Sequence, residues 1–436
     1  MSEKATEQIP DSISERRLDK VPHFPNRHEP VGFMLRLVKA LHTYGVPSYE
    51  LERLLTNVAE QLGYGLQCIA VPTSITMTFM LEEDKPQTYV IRSNSGEVDV
   101  DKLSRTMDVA YAVINDDMTT EEGAIQLNEI TKSKPVHNRY WTIICFMLVS
   151  ASIARIFNGG LLEVITGAAI GLSVGLLVNI GGTRSETVAN LMPALAAFMA
   201  SVISVGFNKW LGLGSTYIPI VAGIIILVPG MMLTIAMAEL ATQNLVSGTA
   251  RLLGSAVIFI QMTFGVAIGT QLGNFLFPST VITPLTLLPT WTIWIAIFAT
   301  SFSFVVLFQT RWKSFPWIIA AVCIAYFVSR WGVKLMNPAS GAFIGALSVG
   351  LFANLAYRIK QVPTATCLMP GFIILVPGSV GFKSLTALLD HDIIGGLDTA
   401  FNMIIIGISL VTGLLISSIA TLPKPKTKAK LGKPLS

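Results

Sequence analysis

From Trp141 to Leu422 the chain is a succession of apolar runs, each about 17 to 26 residues long. A helix needs roughly 20 apolar residues to cross the hydrocarbon of a bilayer, where every backbone polar group must be satisfied within the segment. Runs of that length, back to back, exclude a water-soluble core and require a bundle of spanning helices. Composition agrees. Only 13% of the residues are charged, about half the 25% typical of soluble domains. Polar residues concentrate before residue 140, and the first run of spanning length follows them, so no signal peptide is expected. The pattern predicts a polytopic α-helical membrane protein of about ten transmembrane helices, preceded by a small soluble α+β domain.

Residues 1–30 are polar and interrupted by Pro22, Pro25 and Pro30, which predicts disorder. Residues 31–138 hold the soluble domain. A helix is expected from Val31 to Gly45, and a second from Tyr49 to Leu62 with Ser48 as its N-cap. Leu51, Leu54, Leu55, Val58 and Leu62 fall on one face of it. Strands follow at 66–71, 75–81 and 88–92, the second alternating through Ile75, Met77, Phe79 and Leu81. A helix over 100–115 comes next. Thr119-Thr120-Glu121-Glu122 then reads as a capping box opening a helix toward Lys132.

The spans are expected at 141–157, 161–180, 188–207, 216–241, 250–276, 290–309, 314–331, 338–357, 364–389 and 398–421. They divide into five-helix halves over 139–277 and 278–422, with a basic tail over 423–436. With the N-terminus inside, the inner flanks carry 14 Lys and Arg and the outer flanks four. The positive-inside rule then places both termini in the cytosol of a plasma or inner membrane. The five tail lysines suit anionic lipid there.

An internal repeat organises the spans. Gly223 to Gly230 reads GIIILVPG, and Gly371 to Gly378 reads GFIILVPG, 148 residues on. The same offset carries Gly248 to Gly396 and Gly265 to Gly413. Five helices per half is an odd number, so the second half enters from the opposite side and the repeat is inverted, as in many secondary transporters. Pro229-Gly230 and Pro377-Gly378 fall near the middles of the fourth and ninth spans. Proline removes a backbone donor and clashes with the preceding turn, and glycine weakens the helix further. Two readings stand open: broken helices whose ends bind substrate, or kinks for packing.

Ionisable groups within spans are functional hypotheses by default. Glu163 opens the second span and Glu239 closes the fourth, each within reach of the interface. Glu186 and Asn190 are four apart and share a helical face, as do Asp398 and Asn402. Lys383 lies inside the ninth span. With the two Pro-Gly pairs, Glu186, Asn190, Lys383 and Asn402 are the candidate substrate-binding set for a small zwitterion or anion. Glu186, Glu239 and Asp398 are the candidate proton carriers. Interfacial solvation or structural pairing is the competing fate of each.

No phosphate-binding G-x-x-x-x-G-K-[ST] occurs, which points to an ion gradient rather than ATP. Cys68, Cys145, Cys323 and Cys367 form no C-x-x-C pair, so neither a disulfide framework nor a metal site is expected. No cofactor and no nucleic-acid partner is indicated. The partners expected are a small molecule, a coupling proton and lipid, with homo-oligomer formation left open.

The soluble domain adds a resemblance. His42-Thr43-Tyr44-Gly45-Val46-Pro47-Ser48-Tyr49-Glu50-Leu51-Glu52-Arg53, then Leu62-Gly63 and Pro72-Thr73-Ser74-Ile75, resembles the threonine/serine exporter family over about residues 31–420. The resemblance implies two five-helix halves behind this domain and export of small amino acids by the proton motive force. Relatives whose halves are separate polypeptides are associated with succinate export, so a dicarboxylate exporter is the alternative. A third reading, a membrane-bound hydrolase built on His42, Ser48, Glu50 and Glu52, finds neither G-x-S-x-G nor H-E-x-x-H. A passive channel is the fourth. For the soluble domain, a gating or regulatory role below the pore is the expectation.

Overall fold

The computed structural model describes residues 29–80, 86–93, 98–181, 186–277, 286–360, 362–375, 378–389 and 392–420. The basic tail and nearly all of the expected disordered segment lie outside these. Helices α1 (Glu29–Thr43) and α2 (Ser48–Gln61) lead into a three-stranded antiparallel meander. Its strands are β1 (Gly65–Val71), β2 (Ser74–Met80) and β3 (Gln87–Arg92), and α3 (Val100–Ile114) and α4 (Thr120–Lys132) follow. The period-2 pattern of β2 buries Ile75, Met77 and Phe79 on the face that meets the helices. Phe33, Leu37, Leu41, Leu51, Leu55 and Leu127 complete this core. The capping box forms: Thr119 accepts from the Glu122 amide, and Glu122 accepts from the Thr119 amide. One expectation is corrected. Ser48 is the first helical residue rather than the N-cap, which is Pro47, and proline supplies no side-chain acceptor.

The remaining chain is helical: α5 (Arg139–Ile156), α6 (Leu161–Gly181), α7 (Glu186–Leu211), α8 (Tyr217–Ile224), α9 (Gly230–Ala241) and α10 (Leu245–Leu276), then α11 (Thr292–Leu307), α12 (Phe315–Leu335), α13 (Pro338–Lys360), α14 (Thr364–Leu375), α15 (Gly378–Leu389) and α16 (Ile393–Ala420). Among the described residues, eight stretches are long and apolar enough to cross a membrane. The difference from ten has local causes. The fourth expected span is split between α8 and α9, and α11 is only 16 residues long. The ninth expected span, which holds α14 and α15, is among the eight.

Helices that correspond across the repeat pack alike. α7 lies on α10 as α13 lies on α16, α9 on α10 as α15 on α16, and α6 on α8 as α12 on α14. One pair of glycines at the common offset, Gly265 and Gly413, serves the first of these pairings. A Cβ on Gly265 would run into the carbonyl of Ala194, and one on Gly413 into that of Phe343.

The two ends of the bundle are pinned separately. At one end Arg155 donates to Thr292 Oγ1 at 2.6 Å and to the carbonyls of Leu288 and Pro289, while Arg330 donates to the carbonyl of Ile156. There Glu163, buried, accepts from the Gly214 and Ser215 amides at 2.8 and 3.2 Å, ahead of α8. At the other end the soluble domain is docked.

Candidate functional site

The helix break at Pro229 is built by backbone geometry. α8 ends in tight turns: Leu227 N–H donates to Ile224 O at 2.8 Å, and Gly230 N–H to Val228 O at 2.7 Å. Pro229 has ψ 38°, outside the helical range, and α9 restarts with Leu233 N–H on Pro229 O. Pro229 and Gly230 are both buried. Thr234 Oγ1 donates to Gly230 O, and Ser150 Oγ from α5 donates to Gly223 O. In the second half α14 is described as far as Leu375 and α15 from Gly378, which is buried. Pro377 lies outside the described residues.

The segments that precede the two Pro-Gly pairs converge. Ile225 and Ile226 pack on an apolar cluster that includes Val149, Ile153, Phe304 and Val322, and Ile373 and Ile374 pack on the same cluster. These are equivalent positions of the repeat. On the other side, Leu227 and Val228 pack on a cluster that includes Phe382 of α15, whose ring stacks on Tyr217 at 6.3 Å. The surroundings of the break are therefore aliphatic and aromatic, and the polar atoms there are mainly backbone.

The other sequence-predicted residues lie apart from that centre. Asn190 is exposed on α7; Glu186 is the first residue of that helix, but its side chain lies outside the described set. Asp398 and Asn402 form the expected pair, with Asn402 Nδ2 donating to Asp398 Oδ2 at 3.2 Å, and both are exposed. Lys383 is exposed on α15, next to Ser384, whose hydroxyl donates to Gly396 O at 2.6 Å. Lys383 and Asp398 thus flank one junction of α15 and α16. A cavity of about 480 Å³ opens elsewhere, between α6 and α7, lined by Ser173, Leu177, Val188 and Met192 among others. Its walls are almost wholly apolar, so its volume does not mark a polar site.

Glu239 has a different setting. It is fully buried, and both carboxylate oxygens accept from Arg251 Nε, at 3.0 and 3.1 Å. Oε1 also accepts from the backbone N–H of Ser48 at 3.0 Å. Beside this, Ser247 Oγ donates to Ala70 O at 2.6 Å, and Glu52 accepts from the Ala70 amide at 2.8 Å. A second foothold joins α3 to the turn after α11. Val100 N–H donates to Phe308 O, Arg311 pairs with Asp101 at 2.6 Å, and His137 Nε2–H donates to Thr310 O at 2.7 Å. Sequence reasoning counted Arg251 and Arg311 only as flank charges. The opposite charges of Glu239 and Arg251, either side of a short turn, were the available signal for the ion pair.

Removing one member of a buried ion pair strands the other. Glu239→Ala is expected to cost roughly 3–5 kcal/mol, whereas the double variant Glu239→Leu, Arg251→Met costs less. Thermal unfolding of the purified chain measures both.

Near the same interface, His42 is 1% exposed, and its Nε2–H donates to Pro72 O at 3.1 Å. Burial holds its imidazole below 6.5, so its share of stability is lost as pH falls below that value. Ser48 Oγ is buried without a hydrogen-bond partner among the described residues, and so is His42 Nδ1. No hydrogen bond joins Ser48 Oγ to His42, so the hydrolase reading finds no nucleophile–base pair among the described residues. Glu50 is half-buried, and burial lifts its carboxyl above the usual 4.5, with Arg53 opposing. A raised acid stabilises the fold below its unfolded value and loses that share as pH rises through the folded one. Glu50→Gln is therefore expected to raise the melting temperature at pH 7 and leave it unchanged near pH 4, a comparison made by thermal scans.

These features define a multi-pass membrane protein with a docked soluble domain and a broken helix whose flanking isoleucines share one cluster with their counterparts in the second half. The chain belongs to the threonine/serine exporter family. A family described as "Putative threonine/serine exporter" matches residues 32–273, and one described as "Threonine/Serine exporter, ThrE" matches residues 292–420. An uncharacterized protein of Schizosaccharomyces pombe is 25% identical over 430 residues, 92% of this chain and 56% of its own length. Pheromone-regulated membrane protein 10 of Eremothecium gossypii is 23% identical over 81% of this chain and 48% of its own length. That of Pichia sorbitophila is 22% identical over 85% and 38%. The chain thus spans about half the length of these relatives, or less. No solved structure matches. Membership of this family points to a transporter rather than an enzyme.

Proposed function

We propose that the chain is a secondary exporter of small amino acids, threonine and serine, driven by the proton motive force across a plasma or inner membrane. It works as an inverted repeat of five plus five spans, the split helices counting as one span each, with both termini cytosolic. Substrate binds between the two Pro-Gly breaks. The observation that carries this reading is the convergence of Ile225-Ile226 and Ile373-Ile374 on one apolar cluster. Two equivalent breaks at one place give a centre around which two similar halves can exchange conformations. Backbone groups turned out of the regular helix ladder at the break suit the ammonium and carboxylate of an amino acid, and Lys383 draws the carboxylate toward the α15–α16 junction.

Of the three candidate carboxylates, Asp398 best suits the coupling proton. It is exposed and hydrogen-bonded to a neutral amide, whereas Glu239 is enclosed by Arg251. Cells preloaded with a threonine-containing dipeptide test the proposal. Threonine efflux above control cells that collapses with a protonophore is the expected result. No difference from control, with the protein present in the membrane, would refute it and turn attention to succinate.

A further inference from the structure

α2 begins without a cap of its own. Its N-cap is Pro47, and the first amide of the helix, that of Ser48, is satisfied by a carboxylate 191 residues away, Glu239 of α9. An acceptor at this place completes the helix terminus and meets its positive end. The same carboxylate is held by Arg251 of α10. His42 of α1 and Tyr49 and Glu52 of α2 lie within its electrostatic reach.

α9 is therefore fixed at both ends. One end is the break at Pro229-Gly230, and the other, Glu239 about 14 Å away at 1.5 Å per residue, is the cap on α2. The domain's other foothold, Val100 on Phe308 and Asp101 on Arg311, lies on the second half. One rigid domain thus ties both halves at the same end of the bundle.

We propose that the soluble domain latches α9 through Glu239, a positioning residue that caps α2 in trans and so restrains the mobile half of the first broken helix. The inference rests on reading α9 as an element that moves in the transport cycle. A small molecule entering from the domain's side has to pass this end, so the latch is released during loading.

Ser48→Pro isolates the contact. Proline suits the first position of a helix and lacks the one N–H that Glu239 accepts. Pro47 already has the extended ψ, 149°, that a following proline needs. Ser48→Ala is the control, since it removes only the unpartnered hydroxyl. The probe is hydrogen–deuterium exchange of the purified full chain, which needs no substrate. A lost cap is worth about twofold to thirtyfold in local opening. Ser48→Pro is expected to speed exchange by that factor over Gly230–Ala241 and leave the sheet, Gly65–Arg92, as protected as in the parent. Ser48→Ala changes neither. Unchanged exchange over Gly230–Ala241 in Ser48→Pro overturns the latch, as does equal acceleration in Ser48→Ala. Should Ser48→Pro not accumulate, Glu239→Gln serves instead: it keeps an oxygen for the Ser48 amide but weakens the charge-assisted bond, and unchanged α9 exchange there also overturns the latch. Failure of the parent to export threonine or serine strikes only the substrate reading, because exchange is measured without substrate.

Discussion

Pro229→Ala lowers export at least about tenfold while the amount of protein in the membrane stays the same. Proline inside a helix costs about 3 kcal/mol, so replacing it releases the constraint that keeps α8 and α9 apart. That energy corresponds to a shift of about a hundredfold toward a continuous helix. A continuous helix pairs the backbone groups that the break leaves for substrate, and it removes the hinge. Gly230 stays and still opposes closure by about 1 kcal/mol, which is why the expected loss is smaller than the full factor. Pro377→Ala carries the same expectation from its place in the repeat. Fractionated membranes report the protein level and preloaded cells the efflux. Normal export in both variants would show that the prolines serve packing alone.

Gly265→Val and Gly413→Val are expected to destabilise the bundle by about 1–3 kcal/mol each, the range for overpacking. Each glycine lets a helix backbone approach its neighbour, α10 on α7 and α16 on α13, and the added Cβ would meet a carbonyl rather than a flexible side chain. Gly407→Ala is the contrast. Its Cβ would meet only Met237 Cγ at 3.5 Å, an ordinary contact. Melting of the purified protein in detergent should separate the two valine variants from the alanine one. Equal stability of all three would remove the close-approach explanation of the glycines at the common offset.

Much of the fold was legible. The alternation of β2 and the capping box at Thr119 specified local structure, because both depend on neighbours a few residues apart. Pro229-Gly230 marked the break between α8 and α9 for the same reason. What was hidden depends on contacts distant in sequence. Nothing near Glu239 announces that its acceptor serves an amide 191 positions away, and Ser48 looked like its own cap. The exposure of Lys383, Asp398 and Asn402 was equally invisible, because helical spacing gives a shared face but not what that face meets. The convergence of the two isoleucine pairs on one cluster required the packing of α14 against α12, which a repeat offset suggests without fixing.

The most direct measurement is transport by the purified chain in proteoliposomes, with labelled threonine on one side and an imposed pH gradient. The expected result is accumulation of threonine against its own gradient, abolished when the pH gradient is dissipated and reduced at least about tenfold by Pro229→Ala. Threonine movement that only equalises the two sides, or that is indifferent to both the pH gradient and Pro229→Ala, would contradict proton-coupled export through the broken helices.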